Sequence, residues 1–186
     1  SQIDELKKIC KEENISFSTL VQKTLKHYLE IDKIYNTFDW IKVPKDTLSL
    51  ALKKLNPNEI EELGKNMALE FSVDFMLVKW GEITEYTIIE FLKIFFKENA
   101  WGELQVFSET EGVIINIKHG MGKKVSKLLI TFIQTLFQNQ LNRNLKVQKF
   151  EKMISISISN KPHTRNSHLI PKNINYSWYK SEINLD

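Results

Sequence analysis

Apolar residues recur at three-to-four spacing over most of the first hundred positions and at spacing two in several later stretches. The first period marks helices with one buried stripe; the second marks strands with one buried face. Residues 2–13 put Ile3, Leu6, Ile9 and Cys10 on one helical face, with Asp4 and Glu5 in the first turn, where the helix dipole favours acids. Asn14 tolerates the left-handed conformation that ends many helices, and Ser16 or Ser18 can cap the helix that follows. From there Phe17, Leu20, Val21, Leu25, Tyr28 and Leu29 form a second stripe. Ile31, Ile34, Tyr35 and Phe38 carry the helical spacing on toward Trp40. Two short amphipathic helices with almost no connection cannot bury these faces alone; they need the rest of the chain or a second copy.

Val43-Pro44 marks a turn or the first turn of a helix. Residues 45–55 are helical, with Leu48, Leu52 and Leu55 on one face. Asn56-Pro57-Asn58-Glu59 combines a capping Asn, a Pro at the first helical position and a Glu at the third, which starts a helix running to about Ala68. Residues 71–80 fit either a helix or a strand, and the helical segments on both sides favour a helix. Thr84 caps a helix through Asn99 whose face is Ile88, Phe91, Leu92, Phe95 and Phe96. After Trp101-Gly102 the period changes to two, and 103–118 reads as a hairpin about Thr110-Glu111-Gly112. A long helix over roughly 122–141 places Val125, Leu128, Leu129, Phe132, Ile133, Leu136 and Phe137 inward. Residues 145–150 form a third strand. Residues 153–159 form a fourth, as its hairpin partner or its continuation past a bulge. The fold class expected is α+β: an N-terminal helical region, then a small mixed α/β domain with a hairpin, a long helix and one or two further strands. The divisions are an N-terminal helix pair at 1–40, a helical region at 41–100, the α/β domain at 101–159 and a polar tail at 160–186. That tail carries Pro162, Pro171 and the aromatics Tyr176, Trp178 and Tyr179.

Bulk properties narrow the class. A chain of 186 residues with 42% apolar and 26% charged positions is globular. One cysteine, Cys10, excludes an internal disulfide framework and suits a reducing cytosol; its inward spacing makes it a core thiol. No apolar run is long enough to span a membrane and no signal peptide leads the chain, so a cytoplasmic protein without a membrane partner is expected. The net charge of +3 is unevenly spread. Residues 1–52 balance at 8 basic and 8 acidic, residues 53–111 carry 6 against 12, and residues 116–152 carry 8 against 1. The plainer account is mutual attraction or separate solvated faces; the other is two surfaces with different partners. Of 26 basic residues only Arg143 and Arg165 are arginine, a compositional bias rather than a set of bidentate phosphate contacts.

The run from Leu6 to Leu29, Leu-Lys-Lys-Ile-Cys-Lys-Glu-Glu-Asn-Ile-Ser-Phe-Ser-Thr-Leu-Val-Gln-Lys-Thr-Leu-Lys-His-Tyr-Leu, resembles the helix pair of ribbon–helix–helix DNA-binding proteins, the class of the Arc and methionine repressors. The resemblance implies an intertwined dimer in which one strand from each chain enters the major groove of DNA. It also implies that the start of the second helix grips a phosphate through backbone N–H groups. On this resemblance the phosphate-binding positions are Ser16, Phe17, Ser18 and Thr19, and the partners are DNA and a second copy of the chain. The ribbon strand belongs just before Gln2. It is not in this sequence, which starts at Ser1 without Met: either the numbering begins after the strand, or the strand is lost and only a dimerising helix pair remains. The balanced charge of residues 1–52 supplies no basic footprint, so DNA binding is expected to be weaker than the helix pattern alone implies, with backbone contacts if the upstream strand exists. The helix–strand–strand–helix–strand order further on resembles small α/β sensor domains of the heme-nitric-oxide-binding-like and vinyl-4-reductase types. That match of topology implies ligand sensing or added dimer contacts; it carries over no heme or substrate ligand, and no cofactor is expected.

Lys118-His119-Gly120-Met121-Gly122-Lys123-Lys124 is the best candidate for ligand chemistry. A strand delivers the chain to a glycine-rich turn at a helix N-terminus, where backbone approaches a ligand closely and an anion is favoured. Lys118, His119, Gly120, Gly122, Lys123 and Lys124 are the candidate contacts for a small anionic ligand. The spacing is neither a P-loop nor a dinucleotide fingerprint, and the plainer reading is a turn that needs glycine, with lysines in solvent. His27, His119, His163 and His168 are too dispersed for a metal site beside one cysteine. Carboxylates at 59–62 and 82–90 lie on polar helix faces. No Ser/His/Asp or Cys/His order argues for catalysis, so no catalytic residue and no enzyme is expected. The expected function is a dimeric DNA-binding transcriptional regulator with a C-terminal ligand-sensing or dimerisation domain. The alternative is a non-enzymatic interaction module that dimerises through its N-terminal helices without binding DNA.

Overall fold

The computed structural model describes residues 1–38, 43–150 and 153–159. Trp40, the tail aromatics, His163 and His168 lie outside the described residues. The fold is α+β, with helices from the N-terminus to residue 99 followed by a four-stranded antiparallel sheet. Helix α1 (Gln2–Glu12) ends as Asn14 suggests. Asn14 has φ +51°, its N–H donates to the Lys11 carbonyl at 3.3 Å, and the Ile15 N–H donates to the Cys10 carbonyl at 2.9 Å. These are the two closing bonds of a Schellman turn. Helix α2 (Phe17–His27) begins on Ser16, whose Oγ accepts the Thr19 N–H at 3.0 Å. The helix then widens into a π turn at Tyr28–Asp32 and continues as α3 (Lys33–Thr37). The wider turn changes the register of the apolar stripe. Leu25 and Leu29 stay about 56% and 60% exposed, whereas Tyr35 is buried.

Helices α4 (Lys45–Lys54), α5 (Pro57–Leu69), α6 (Phe71–Trp80) and α7 (Glu85–Asn99) follow. Asn56 caps α5 through its Oδ1, which accepts from the Asn58 and Glu59 N–H groups at 2.9 and 3.1 Å, and the Glu59 carboxylate returns to the Asn56 N–H. Thr84 caps α7 in the same way, accepting the Thr87 N–H at 3.2 Å. The sheet contains β1 (Glu103–Glu109), β2 (Gly112–Lys118), β3 (Lys146–Lys149) and β4 (Met153–Ser159) in the order β1-β2-β4-β3. The third and fourth strands are therefore hairpin partners, with Val147 opposite Ile156. Both β2 and β3 pair antiparallel with β4, so they run parallel to each other, and α8 (Lys123–Leu141) is the crossover between them.

Register explains burial. Leu104 lies opposite Ile117, and Ile117 opposite Ile154; Val106, Ile115 and Ile156 form the next row. This row of side chains joins Phe91, Phe95, Phe132, Leu136 and Phe137 in one buried cluster that extends from Tyr35 to Ile158. The core is thus continuous across residue 100. Phe71, Phe91, Phe95 and Phe132 meet with ring centroids 5.4–6.4 Å apart, the spacing of favourable aromatic pairs. Helices α1 and α2 stand outside this cluster, and Cys10 is the one buried residue in either of them. A polar junction ties them to the core. His27 Nε2 lies 3.5 Å from Asp32 and 3.8 Å from Glu98, and Asn99 Nδ2 donates to the Tyr35 hydroxyl at 3.5 Å. Burial, and then the Glu98 charge, push the Tyr35 phenol up to about 12.

Candidate functional site

Three places hold the residues that carry chemistry. The first is the start of α2. Ser16, Phe17 and Ser18 are exposed and Thr19 is half-buried. The Ser16 hydroxyl is already used: it accepts the Thr19 N–H and lies 2.8 Å from Thr19 Oγ1. The Leu20 N–H donates to the Ser16 carbonyl at 3.0 Å. Among the described residues, the Phe17 and Ser18 N–H groups have no protein acceptor. Two free donors at the positive end of a helix suit one anion oxygen pair. Beside them, Ile3, Ile9, Phe17, Val21, Leu25, Tyr28 and Leu29 leave an apolar stripe exposed on α1, α2 and the π turn.

The second place is the glycine-rich turn before α8. Its residues have divided roles. His119 is buried rather than presented to a ligand. Its Nδ1 accepts the Met121 N–H at 3.4 Å, which places the ring proton on Nε2. Nε2 then donates to Ser126 Oγ at 3.1 Å, and that hydroxyl passes its own proton to the Gly122 carbonyl at 3.4 Å. The direction of this relay matters. A base acting on Ser126 would need a bare Nε2, and this one carries the proton. Burial, with Lys45 and Lys149 nearby, depresses the imidazole's proton affinity. His119 therefore pins the turn. Lys118 is exposed at the end of β2, opposite Met153, on the sheet face turned away from α8. Gly120 is exposed, and Gly122 takes φ +87° as the residue preceding α8.

The third place is a groove of about 620 Å³ between α5 and α8, to which Lys123 and Lys124 turn. Lys65, Lys127 and Lys149 share its walls with Glu61, and Pro57 and Ile130 supply apolar surface over the buried Ile60. It exists because Gly64 lets the two helices approach: a Cβ there would lie 2.9 Å from the Leu128 carbonyl oxygen and 3.0 Å from Thr131 Cβ. The ammonium groups have different duties. Lys124 Nζ donates to the Lys53 and Leu55 carbonyls, both at 2.6 Å, and so closes the C-terminal end of α4. Lys127 donates to the Pro57 carbonyl at 2.8 Å and lies 3.4 Å from Glu61. Lys65 lies 2.9 Å from the same carboxylate. Hydrogen bonds from Lys65 and Lys127, and then their charges, hold the Glu61 carboxyl below its ordinary range. Lys123 and Lys149 have no acceptor among the described residues.

The structure thus brings Lys123 and Lys124 together with lysines from α5, α8 and β3, and leaves Lys118, His119, Gly120 and Gly122 off the groove wall. Lys65, Lys127, Lys149 and Glu61 escape the sequence reading. Their signal was the polar stripe Lys123, Lys127, Thr131 and Gln134 at helical spacing, which faces α5 as well as solvent. No family model matches the chain, and no curated protein matches it either. No described helix is long and apolar enough to cross a membrane.

Proposed function

We propose that this chain is a homodimeric DNA-binding regulator. Its N-terminal helix pair would associate with a second copy and grip DNA backbone at the start of α2, and its C-terminal part would sense a ligand or add dimer contacts. The observation that carries this reading is the exposed apolar stripe on α1 and α2, lying beside two uncapped N–H groups. An apolar stripe of this kind on a helix pair that stands outside the main buried cluster wants a protein partner. A symmetric pair would bury the same patch twice and present both helix N-termini to the same duplex. Backbone N–H groups need no lysine to hold a phosphate, which accommodates the balanced charge of this segment.

Fluorescence anisotropy with duplex DNA, using the chain together with whatever native residues precede Ser1, tests the reading. Salt-dependent binding is expected. Ser18→Glu should weaken it sharply, because a carboxylate would occupy the phosphate position, while the acid at the helix start leaves α2 at least as stable. Absence of a salt-dependent complex, or an unchanged affinity for the variant, would sink the DNA reading. The balanced charge of residues 1–52 favours a second reading, an interaction module that dimerises through the same stripe and leaves DNA alone. Dimerisation without any DNA complex is its signature.

A further inference from the structure

The groove between α5 and α8 combines charge and apolar surface in one open depression. Its walls carry five lysines against one carboxylate, and its accessible apolar surface comes from Pro57 and the half-buried Ile130, over the buried Ile60. Three of the lysines are engaged by the fold: Lys124 by the end of α4, Lys127 by Pro57 and Glu61, and Lys65 by Glu61. Lys123 and Lys149 keep their donors free among the described residues. The Glu61 carboxylate lies between two of these ammonium groups, 2.9 Å from Lys65 and 3.4 Å from Lys127. At about 620 Å³ the groove falls in the range of sites that take a small organic ligand, well above what a bare inorganic ion fills. None of its lining residues is aromatic and none is arginine, so it offers no stacking platform for nucleotide bases.

We propose that this groove binds an amphipathic organic anion, a carboxylate or phosphate monoester on an aliphatic body. Lys123 and Lys149 take the head group, Pro57 and Ile130 take the body, and Glu61 tunes affinity by competing for Lys65 and Lys127. The inference names a ligand class for the sensing half of the proposed function. It does not rest on DNA binding or on dimerisation, and its test contains no DNA.

Isothermal titration calorimetry on the full chain tests it, using decanoate, decyl phosphate, decyltrimethylammonium and inorganic phosphate, each amphiphile below its micelle concentration. At least one of the two decyl anions is expected to bind with saturation, and which one identifies the head group. The Lys123→Gln/Lys149→Gln double variant should bind it at least about tenfold more weakly, the scale of losing charge-assisted contacts. Glu61→Gln should bind it several-fold more tightly. Neither lysine holds the fold together, so an unchanged thermal melt of the double variant is expected, and a melt that drops would itself contradict the assignment of free ammonium groups. The proposal is overturned if neither decyl anion binds, if inorganic phosphate binds as tightly as decyl phosphate, if the decyl cation binds equally well, or if the double variant keeps wild-type affinity. Failure of the DNA assay with decyl-anion binding intact would remove the regulator reading and leave the groove assignment standing.

Discussion

Replacing Gly64 probes the contact that makes both the core and the groove. A glycine in the middle of an exposed helix costs about 1 kcal/mol relative to alanine, so Gly64→Ala would ordinarily stabilise α5 by that amount. Here the added Cβ meets the Leu128 carbonyl oxygen at 2.9 Å, Thr131 Cβ at 3.0 Å and the Phe132 nitrogen at 3.2 Å. Two of those three atoms are α8 backbone and cannot swing aside, so the helices must separate by a few tenths of an ångström. Overpacking of this kind costs about 1–3 kcal/mol. The steric term wins. Gly64→Ala should lose about 1 kcal/mol net, which lowers Tm by about 2–4 °C in a chain of this size. Gly64→Val, with two further methyl groups, should lose about 3 kcal/mol or more. Urea unfolding followed by circular dichroism gives the values. Gly120→Ala is the control: nothing lies within 4 Å of its Cβ position, so it should be neutral to stabilising by up to about 1 kcal/mol. A Gly64→Ala variant more stable than wild type would show that α5 and α8 are not packed backbone to backbone, and the groove would have no floor.

Other substitutions test individual devices. Lys124→Ala removes two charge-assisted bonds that close α4 and should cost about 1–3 kcal/mol by urea unfolding; a neutral result would return Lys124 to the free ammonium groups. His119 has its proton affinity depressed by burial, so the unfolded chain binds a proton that the folded chain resists. Its stabilising contribution is therefore complete above the ordinary histidine pKa of about 6.5 and is lost as pH falls below it. The stability difference between wild type and His119→Gln should accordingly shrink from pH 8 to pH 5, and a difference that grew on acidification would refute the neutral assignment. Ala100 sits in the left-handed region at φ +52°, so Ala100→Gly should raise stability by about 0.5–1 kcal/mol, measured by thermal melting.

The helix boundaries were legible because they are written in caps. Asn14, Asn56-Pro57 and Thr84 each satisfy backbone groups that would otherwise be stranded, and each stops or starts its helix where the cap demands. The alternation at 153–159 identified β4, but the neighbour of β4 needed the fold, since either a hairpin or a bulge satisfied the pattern. Residues 71–80 lack a period because α6 is apolar on most sides, with Ser72, Val73, Phe75 and Met76 all buried. Only the neighbouring helices favoured a helix there. The candidate site was half legible. A strand running into glycines and lysines pointed to the start of α8, yet two different surfaces leave that point. His119 turns inward to Ser126, seven residues on and facing inward on α8, while Lys123 turns to α5. Nothing in the local pattern separates these. The mid-helix Gly64 was the missing signal: a glycine with no cap or turn to make marks a close approach of backbones.

Sedimentation equilibrium decides whether α1 and α2 carry the proposed interface between two copies of this chain. The wild-type chain should sediment as a dimer at low micromolar concentration. The Val21→Glu/Leu25→Glu variant, charged in the middle of the exposed stripe and far from the core, should sediment as a monomer with an unchanged melt. A monomeric wild type at high micromolar concentration, or a charged variant that remains dimeric, would contradict the claim.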